Sequence, residues 1–274
     1  LAVRAGGTGT LPLFQYGQAV YLLPYAVLLV PVMTSVFPEL SELRARGDRV
    51  EFSALTLRSV QTVVAFAAVG GAAIWGAGIS IDRFFVAVDR SGIRGVGAVT
   101  AALAVGLIAY GIVMLTTKVL YAAMRPAEAL AIGATGWGIA GVLILVTVLT
   151  SPPRITAAAG VLFGLCISAG MWIAAIGALN LIRERVMVRE HVRPLVTTVL
   201  ASVIASALGS IAGLGLAQLV GEVLRGAWGA LVLGICAGVA GAAVCLCVLM
   251  IADRSFAAPI LGLFTRLVKS PRKA

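Results

Sequence analysis

The chain has 274 residues, of which 61% are hydrophobic and 12% charged, and its mean hydropathy is +1.07. So little polar surface excludes a water-soluble globular domain of this length. The formal net charge is +10, but the basic residues lie between apolar stretches, which argues against a nucleic-acid partner and favours contact with anionic membrane lipids.

Seven apolar stretches follow one another along the chain. Each is long enough to cross the ~30 Å hydrocarbon core as an α-helix, and none shows the alternating pattern of a membrane β-barrel. The sequence therefore predicts an all-α, polytopic helical membrane protein with about seven transmembrane helices. The predicted spans are 12–37, 55–81, 96–117, 127–149, 157–182, 196–220 and 228–251.

The loop charges predict an orientation. Fifteen of the 21 Lys and Arg residues fall in segments 44–58, 118–125, 183–193 and 254–273, all on one side of the seven-span topology. Basic residues concentrate on the cytoplasmic side of membrane proteins. We therefore expect the N-terminus of this chain outside and its C-terminus in the cytoplasm. An outside N-terminus without a signal sequence suggests a piece of a longer protein.

The chain divides into three predicted parts. Residues 1–182 hold five spans, 183–252 hold two further spans, and 253–274 form a basic, amphipathic cytoplasmic tail. Segment 39–52 is expected to be a short surface helix broken at Gly47. Close helix packing is expected at three Gly-xxx-Gly pairs. These are Gly160/Gly164, Gly209/Gly213 and Gly234/Gly238.

The first span carries an unusual set of polar and ring-containing residues. Polar groups inside a membrane usually face the bundle interior, and internal prolines are tolerated beside partner helices or a wet cavity. We therefore predict that the first span is a bent helix that lines a substrate pathway. Arg58 and Gln61, at the start of the second span, are predicted to line the same pathway. An amide pair in the outer interface with tyrosines in the aromatic belt, and an arginine reaching the headgroups, are the alternatives. The predicted substrate-binding residues are Gln15, Gln18, Tyr21, Pro24, Tyr25, Arg58 and Gln61.

Nothing in the sequence points to an enzyme. There is no Ser/His/Asp set, no HExxH and no phosphate loop, and no carboxylate lies near the middle of a span. The four cysteines all lie within predicted spans and lack metal-ligand spacing. We expect no catalytic residues, no metal site and no cofactor, and a transporter of large apolar cargo is favoured.

Three segments resemble the MurJ/MviN lipid II flippases of the multidrug/oligosaccharidyl-lipid/polysaccharide flippase superfamily. The strongest is 18–52, which contains LPYAVLLVPVMTSVFPELSELRARGDRVEF and is similar to the family's Leu-Pro, apolar helix, Leu-Pro-x-Leu-Ser and Gly-Asp/Asn pattern. ISIDRFF (79–85) resembles the outer end of the family's next helix. KVLYAAMRP (118–126) resembles a cytoplasmic turn of the family.

The resemblance implies that the seven spans correspond to helices 8 to 14 of a fourteen-helix fold in the bacterial inner membrane. It implies lipid-linked peptidoglycan precursor as cargo, an N-terminal lobe as partner, and a hydrophobic groove formed by 196–220 and 228–251. The family's arginine and glutamate in the eighth helix are replaced by Ala19 and Leu22. That replacement leaves two alternatives open. One is export of another lipid-linked glycan or an amphipathic drug, and the other is a non-transporting scaffold that recruits cell-wall synthesis proteins.

Overall fold

The computed structural model describes residues 1–89, 93–150, 155–187, 192–221 and 226–252, which contain eleven α-helices and one π-helical turn. The predicted tail, 253–274, lies outside these residues. The helices are α1 (Ala2–Gly6), α2 (Thr10–Pro24), α3 (Val30–Arg46), α4 (Arg49–Gly76), α5 (Gly78–Val88), α6 (Val96–Ala104), α7 (Leu107–Ala122), α8 (Pro126–Thr150), α9 (Thr156–Arg185), α10 (Val192–Val220) and α11 (Gly226–Ala252).

The first span is longer than predicted. A π-helical turn, Tyr25–Leu29, joins α2 to α3, so that one helix runs from Thr10 to Arg46. The turn lies between Pro24 and Pro31, where missing N–H donors and ring clashes disturb regular α-helical hydrogen bonding. The expected separate surface helix in 39–52 is therefore wrong in part, because its first half continues the span. The break at Gly47 is confirmed, and this residue has φ +73°.

The second span begins with a capped helix. The Asp48 side chain accepts a hydrogen bond from the Glu51 backbone N–H at 3.0 Å, which satisfies one of the free donors at the start of α4. The helix ends at Gly76, and α5 continues the chain from Gly78 to Val88. The predicted second span is confirmed, but it starts six residues earlier and ends five residues earlier than the expected 55–81.

The third span is broken, which the sequence did not predict. It consists of α6 and α7, which meet at an angle of 51° around Val105 and Gly106. Six other helical segments of the described residues are long and apolar enough to cross a membrane, and this bent pair makes seven. The predicted all-α, polytopic membrane architecture is confirmed, with seven spans when the bent pair is counted as one.

Helix α4 lies at the centre of the bundle. It packs against α7 and α3 and against α10 and α11, while α9 packs against α6, α7 and α8. The three Gly-xxx-Gly pairs all lie at helix contacts, as predicted. A Cβ atom on Gly213 would lie 2.7 Å from the Cα of Gly76, and one on Gly164 would lie 3.0 Å from the Cβ of Ala102. Glycine therefore permits these backbone approaches.

The predicted outer end of the second span is tied to two other parts of the chain. The Asp82 carboxylate accepts a hydrogen bond from the Gly95 N–H at 2.6 Å. The Arg83 guanidinium donates to the Gly221 carbonyl at the end of α10, also at 2.6 Å. The polar residues of ISIDRFF thus hold the start of the third span and the end of the sixth.

Candidate functional site

An apolar cavity of about 420 Å³ lies beside the middle of α10. Helices α4, α6, α7, α9 and α10 all contribute to its wall. Two serines, Ser206 and Ser210, are among its lining residues, and the Ser210 hydroxyl is already engaged because it donates to the Ser206 carbonyl at 2.7 Å. The lining residues are Gly71, Trp75, Ala104, Val105, Ile108, Trp172, Val203, Ser206, Ala207, Ser210, Ile211 and Leu214. This surface suits an alkyl or isoprenoid chain far better than a polar solute.

The break between α6 and α7 forms part of the cavity wall. Breaking a helix frees backbone carbonyls, which are costly in a membrane unless other groups satisfy them. Here two side chains of α9 do so. The Ser168 hydroxyl donates to the Ala102 carbonyl at 2.8 Å, and the Trp172 indole N–H donates to the Val105 carbonyl at 2.9 Å. Since Trp172 and Val105 both line the cavity, an occupant would touch the groups that hold the break.

A tyrosine cluster lies where the first span packs on α7. The ring centroids of Tyr25 and Tyr110 are 4.9 Å apart, and those of Tyr21 and Tyr110 are 6.4 Å apart. Tyr21 is buried at 6% exposure, whereas Tyr25 is half-buried. Pro24 packs against Gly70 of α4, where a Cβ would lie 2.6 Å from the proline Cβ. Three of the predicted substrate-binding residues are therefore brought together by packing between helices.

The two predicted glutamines lie on the same helix as this cluster. Gln15 is exposed and Gln18 is half-buried. Since Gln18 and Tyr21 are three residues apart, they share a face of α2. Ala19 and Leu22, the positions where the resemblance places charged cavity residues, are both exposed. We call Gln15, Gln18, Tyr21 and Tyr25 the polar stripe.

The last two predicted residues lie away from the polar stripe. The Arg58 guanidinium is exposed and pairs with the Glu51 carboxylate at 2.5 Å. Gln61 is half-buried, and its side-chain amide donates to the Thr198 hydroxyl of α10 at 3.2 Å. Gln61 and Gly70 are nine residues apart, which places them on opposite sides of α4. The structure thus does not bring Gln61 to Pro24 and the polar stripe.

The polar stripe and the apolar cavity also lie on different faces of the helices between them. Gly70 contacts Pro24, whereas its neighbour Gly71 lines the cavity. On α7, Tyr110 contacts the stripe and Ile108 lines the cavity. These positions are therefore two separate surfaces.

Sequence reasoning missed Tyr110, Trp172 and the serines of α10. Each looks like ordinary content of an apolar span, and only the fold reveals its neighbours. Among the described residues, no three His, Cys, Asp or Glu side chains are grouped as a metal site would require. The free thiols of Cys166 and Cys245 are buried, and those of Cys236 and Cys247 are exposed.

Comparison with known proteins identifies the family. The sequence model described as "Lipid II flippase MurJ" matches residues 5–235. The chain belongs to the MurJ lipid II flippase family. The match covers the first six spans and ends within the first half of α11, so it also includes span six.

A solved structure supports the same fold for this MurJ family member. The structure titled "Lipid II flippase MurJ, inward closed conformation" superposes with a TM-score of 0.63 at 18% sequence identity. The alignment covers 90% of this chain and 48% of the solved chain. This chain therefore spans about half the length of the solved protein that it resembles. The predicted family and the partial-length correspondence are both confirmed.

Proposed function

We propose that this chain is the C-terminal part of a lipid II flippase, which moves undecaprenyl-linked peptidoglycan precursor across the bacterial inner membrane. The observation that carries this proposal is the family match over residues 5–235. The chain works by alternating access against an N-terminal lobe. Its N-terminus lies outside and its C-terminus in the cytoplasm, as the loop charges indicate. Residues 1–182 belong to the transporter lobe, 183–252 add the two groove helices, and 253–274 form the tail.

The apolar cavity beside α10 is proposed to hold part of the isoprenoid chain. Its wall is almost entirely hydrocarbon, and residues such as Val203 and Ile211 of α10 are exposed at its edge, so a chain can enter from the bilayer. Because an isoprenoid chain already lies in hydrocarbon, van der Waals packing against the cavity wall is what favours its binding there.

The polar stripe is proposed to contact the headgroup. Gln15 and Gln18 carry amide donors and acceptors, and the tyrosines add hydroxyl groups, which suit sugar hydroxyls and phosphate oxygens. Gln15 and Gln18 are at least partly exposed on the first span, which leaves them free to meet a ligand. Pro24 shapes this helix, while Arg58 and Gln61 are proposed to act nearer the cytoplasmic entrance.

A matched pair of variants on α10 tests the role of the cavity. Ala207 and Leu208 are adjacent exposed residues, but only Ala207 lines the cavity. Ala207→Phe in the intact protein should fill it and reduce flipping at least tenfold, whereas Leu208→Phe should keep most activity. The measurement is the fraction of lipid II that a membrane-impermeant, lipid-II-cleaving enzyme reaches from outside. Equal activity of the two variants would remove the cavity from the pathway.

A second matched pair tests the polar stripe. Gln18→Leu should reduce flipping in the same assay because a headgroup hydrogen bond is lost. Gln218→Leu makes the same chemical change at an exposed position of α10 that does not line the cavity, and it should have little effect. Unchanged flipping by Gln18→Leu would exclude this residue from the site.

A second candidate function is export of another lipid-linked glycan. The observation that favours it is the neutral first span, where Ala19 and Leu22 replace the charged residues of the family. Competition assays that compare lipid II with teichoic-acid and polysaccharide lipid precursors distinguish the two cargoes. Recruitment of cell-wall synthesis proteins by the basic cytoplasmic segments is compatible with either cargo.

A further inference from the structure

A second pocket, of about 400 Å³, is lined largely by charged residues, unlike the apolar cavity. It is formed by three segments that are far apart in sequence: the α3–α4 turn, the end of α7 with the start of α8, and the end of α9. Four arginines contribute to it, so we call it the arginine pocket. The lining residues are Leu43, Arg44, Gly47, Asp48, Arg49, Phe52, Ala123, Arg125, Glu184, Arg185 and Val186.

Local structure explains how the arginines come together. Gly47 adopts a left-handed conformation that ends α3, and α4 starts two residues later, so Arg44 and Arg49 flank one tight turn. Arg125 follows a second turn, in which its N–H donates to the Leu120 carbonyl at 2.9 Å. Arg185 is the last residue of α9. Three segments of the chain thus present guanidinium groups to one space.

The charges around the pocket do not balance. Its wall contains four arginines and two carboxylates, Asp48 and Glu184. Asp48 is already engaged as the cap of α4. Arg125 pairs with the nearby Glu128 at 3.3 Å. Within the described part of the chain the other three arginines of the pocket form no ion pair, because Glu42 and Glu51 pair with Arg46 and Arg58 instead.

The pocket also has an apolar floor. Phe52 is buried at 7% exposure, and Leu43 and Val186 pack beside it on the core. The whole pocket lies where membrane-spanning helices end, on the side that the orientation proposal places in the cytoplasm. Guanidinium groups supply donors without acceptors and match phosphate oxygens in geometry. Basic pockets at this level commonly take lipid headgroups.

We propose that the arginine pocket binds the phosphate of an anionic phospholipid of the cytoplasmic leaflet, with the glycerol backbone of that lipid over Phe52. Arg44, Arg49 and Arg185 supply guanidinium groups that form no ion pair within the described residues, and Arg125 lines the third side. This site is distinct from the apolar cavity and the polar stripe, and it does not depend on which lipid the protein transports.

Two double variants of the intact native protein test the proposal. Arg49→Gln with Arg185→Gln removes two charges from the pocket. Arg46→Gln with Arg183→Gln removes two charges from the same α3–α4 turn and the same end of α9, but outside the pocket. All four side chains are exposed, so both proteins should fold. The measurement is the apparent Kd for phosphatidylglycerol by native mass spectrometry in detergent, with phosphatidylcholine as the zwitterionic comparison.

The pocket variant should bind phosphatidylglycerol roughly thirtyfold more weakly than the parent protein, because each arginine near a membrane surface contributes about 1 kcal/mol. The control variant should differ by less than about threefold, and the parent should prefer phosphatidylglycerol to phosphatidylcholine. Equal weakening in both variants would show diffuse charge attraction and overturn the proposal. Inorganic phosphate that binds as tightly as the lipid would overturn the assignment to a lipid. Lipid II is absent, so neither outcome bears on the proposed transport.

Discussion

One close approach between helix backbones makes a quantitative prediction. At Gly213 on α10, an added Cβ would lie 2.7 Å from both the Gly76 Cα and the Ala237 carbonyl oxygen. Both neighbours are backbone atoms, so no side-chain rotation can relieve the clash. Overpacking of a well-packed core costs about 1–3 kcal/mol, and with a backbone on both sides we expect about 3 kcal/mol for Gly213→Val.

Gly215→Val is the matched control. It lies on the same helix two residues later, and its added Cβ would have no neighbour within 4 Å. Both changes gain a few tenths of a kcal/mol in helix propensity, so their difference isolates the contact. Thermal unfolding of the intact protein in detergent should show a Tm for Gly213→Val that is roughly 6–12 °C lower than for Gly215→Val. Indistinguishable Tm values would refute the close approach of the α10 and α4 backbones.

Two further predictions concern the helix break and the turn after α7. Trp172→Phe removes the donor to the Val105 carbonyl and should lower the free energy of unfolding by about 1 kcal/mol. Trp137 is exposed, so Trp137→Phe should change the free energy of unfolding by less than about 0.5 kcal/mol in the same denaturation experiment. Met124 has φ +62° and is 78% exposed. Met124→Gly should therefore raise the Tm, because glycine relieves about 1 kcal/mol of backbone strain, while Ala123→Gly should lower the Tm. A fall in Tm for both variants would contradict the strain at Met124.

Much of the architecture could be predicted from hydropathy. Seven apolar stretches separated by basic loops define seven spans, because helix length is set by the membrane. The break at Gly106 could not be predicted in this way. The chain contains 32 glycines, so a single glycine within a span does not indicate a helix break. What permits the break is a pair of donors, Ser168 and Trp172, which lie more than sixty residues later in the sequence.

The candidate site was only partly predictable, for a similar reason. Tyr21 and Tyr25 were noticeable because polar rings near prolines are unusual in a span. Their partner Tyr110 sits in an otherwise apolar segment, and its contact depends on how α7 packs. Spacing along the chain also could not show that Gln61 faces α10. Residues that share a helix face can be inferred from sequence, but residues that share a cavity require the tertiary fold.

The π-helical turn in the first span affects how relatives should be aligned with this chain. A π-helical turn accommodates one residue more than an α-helical turn, so it acts as a single-residue insertion that rotates everything after it by about 100°. A homologue with one residue fewer and a regular α-helix between Pro24 and Pro31 would present the same helix faces before and after this point, whereas one of equal length without the π-helical turn would present a different face after it. Equivalent positions on α2 and α3 must therefore be assigned separately, with the gap placed inside Tyr25–Leu29.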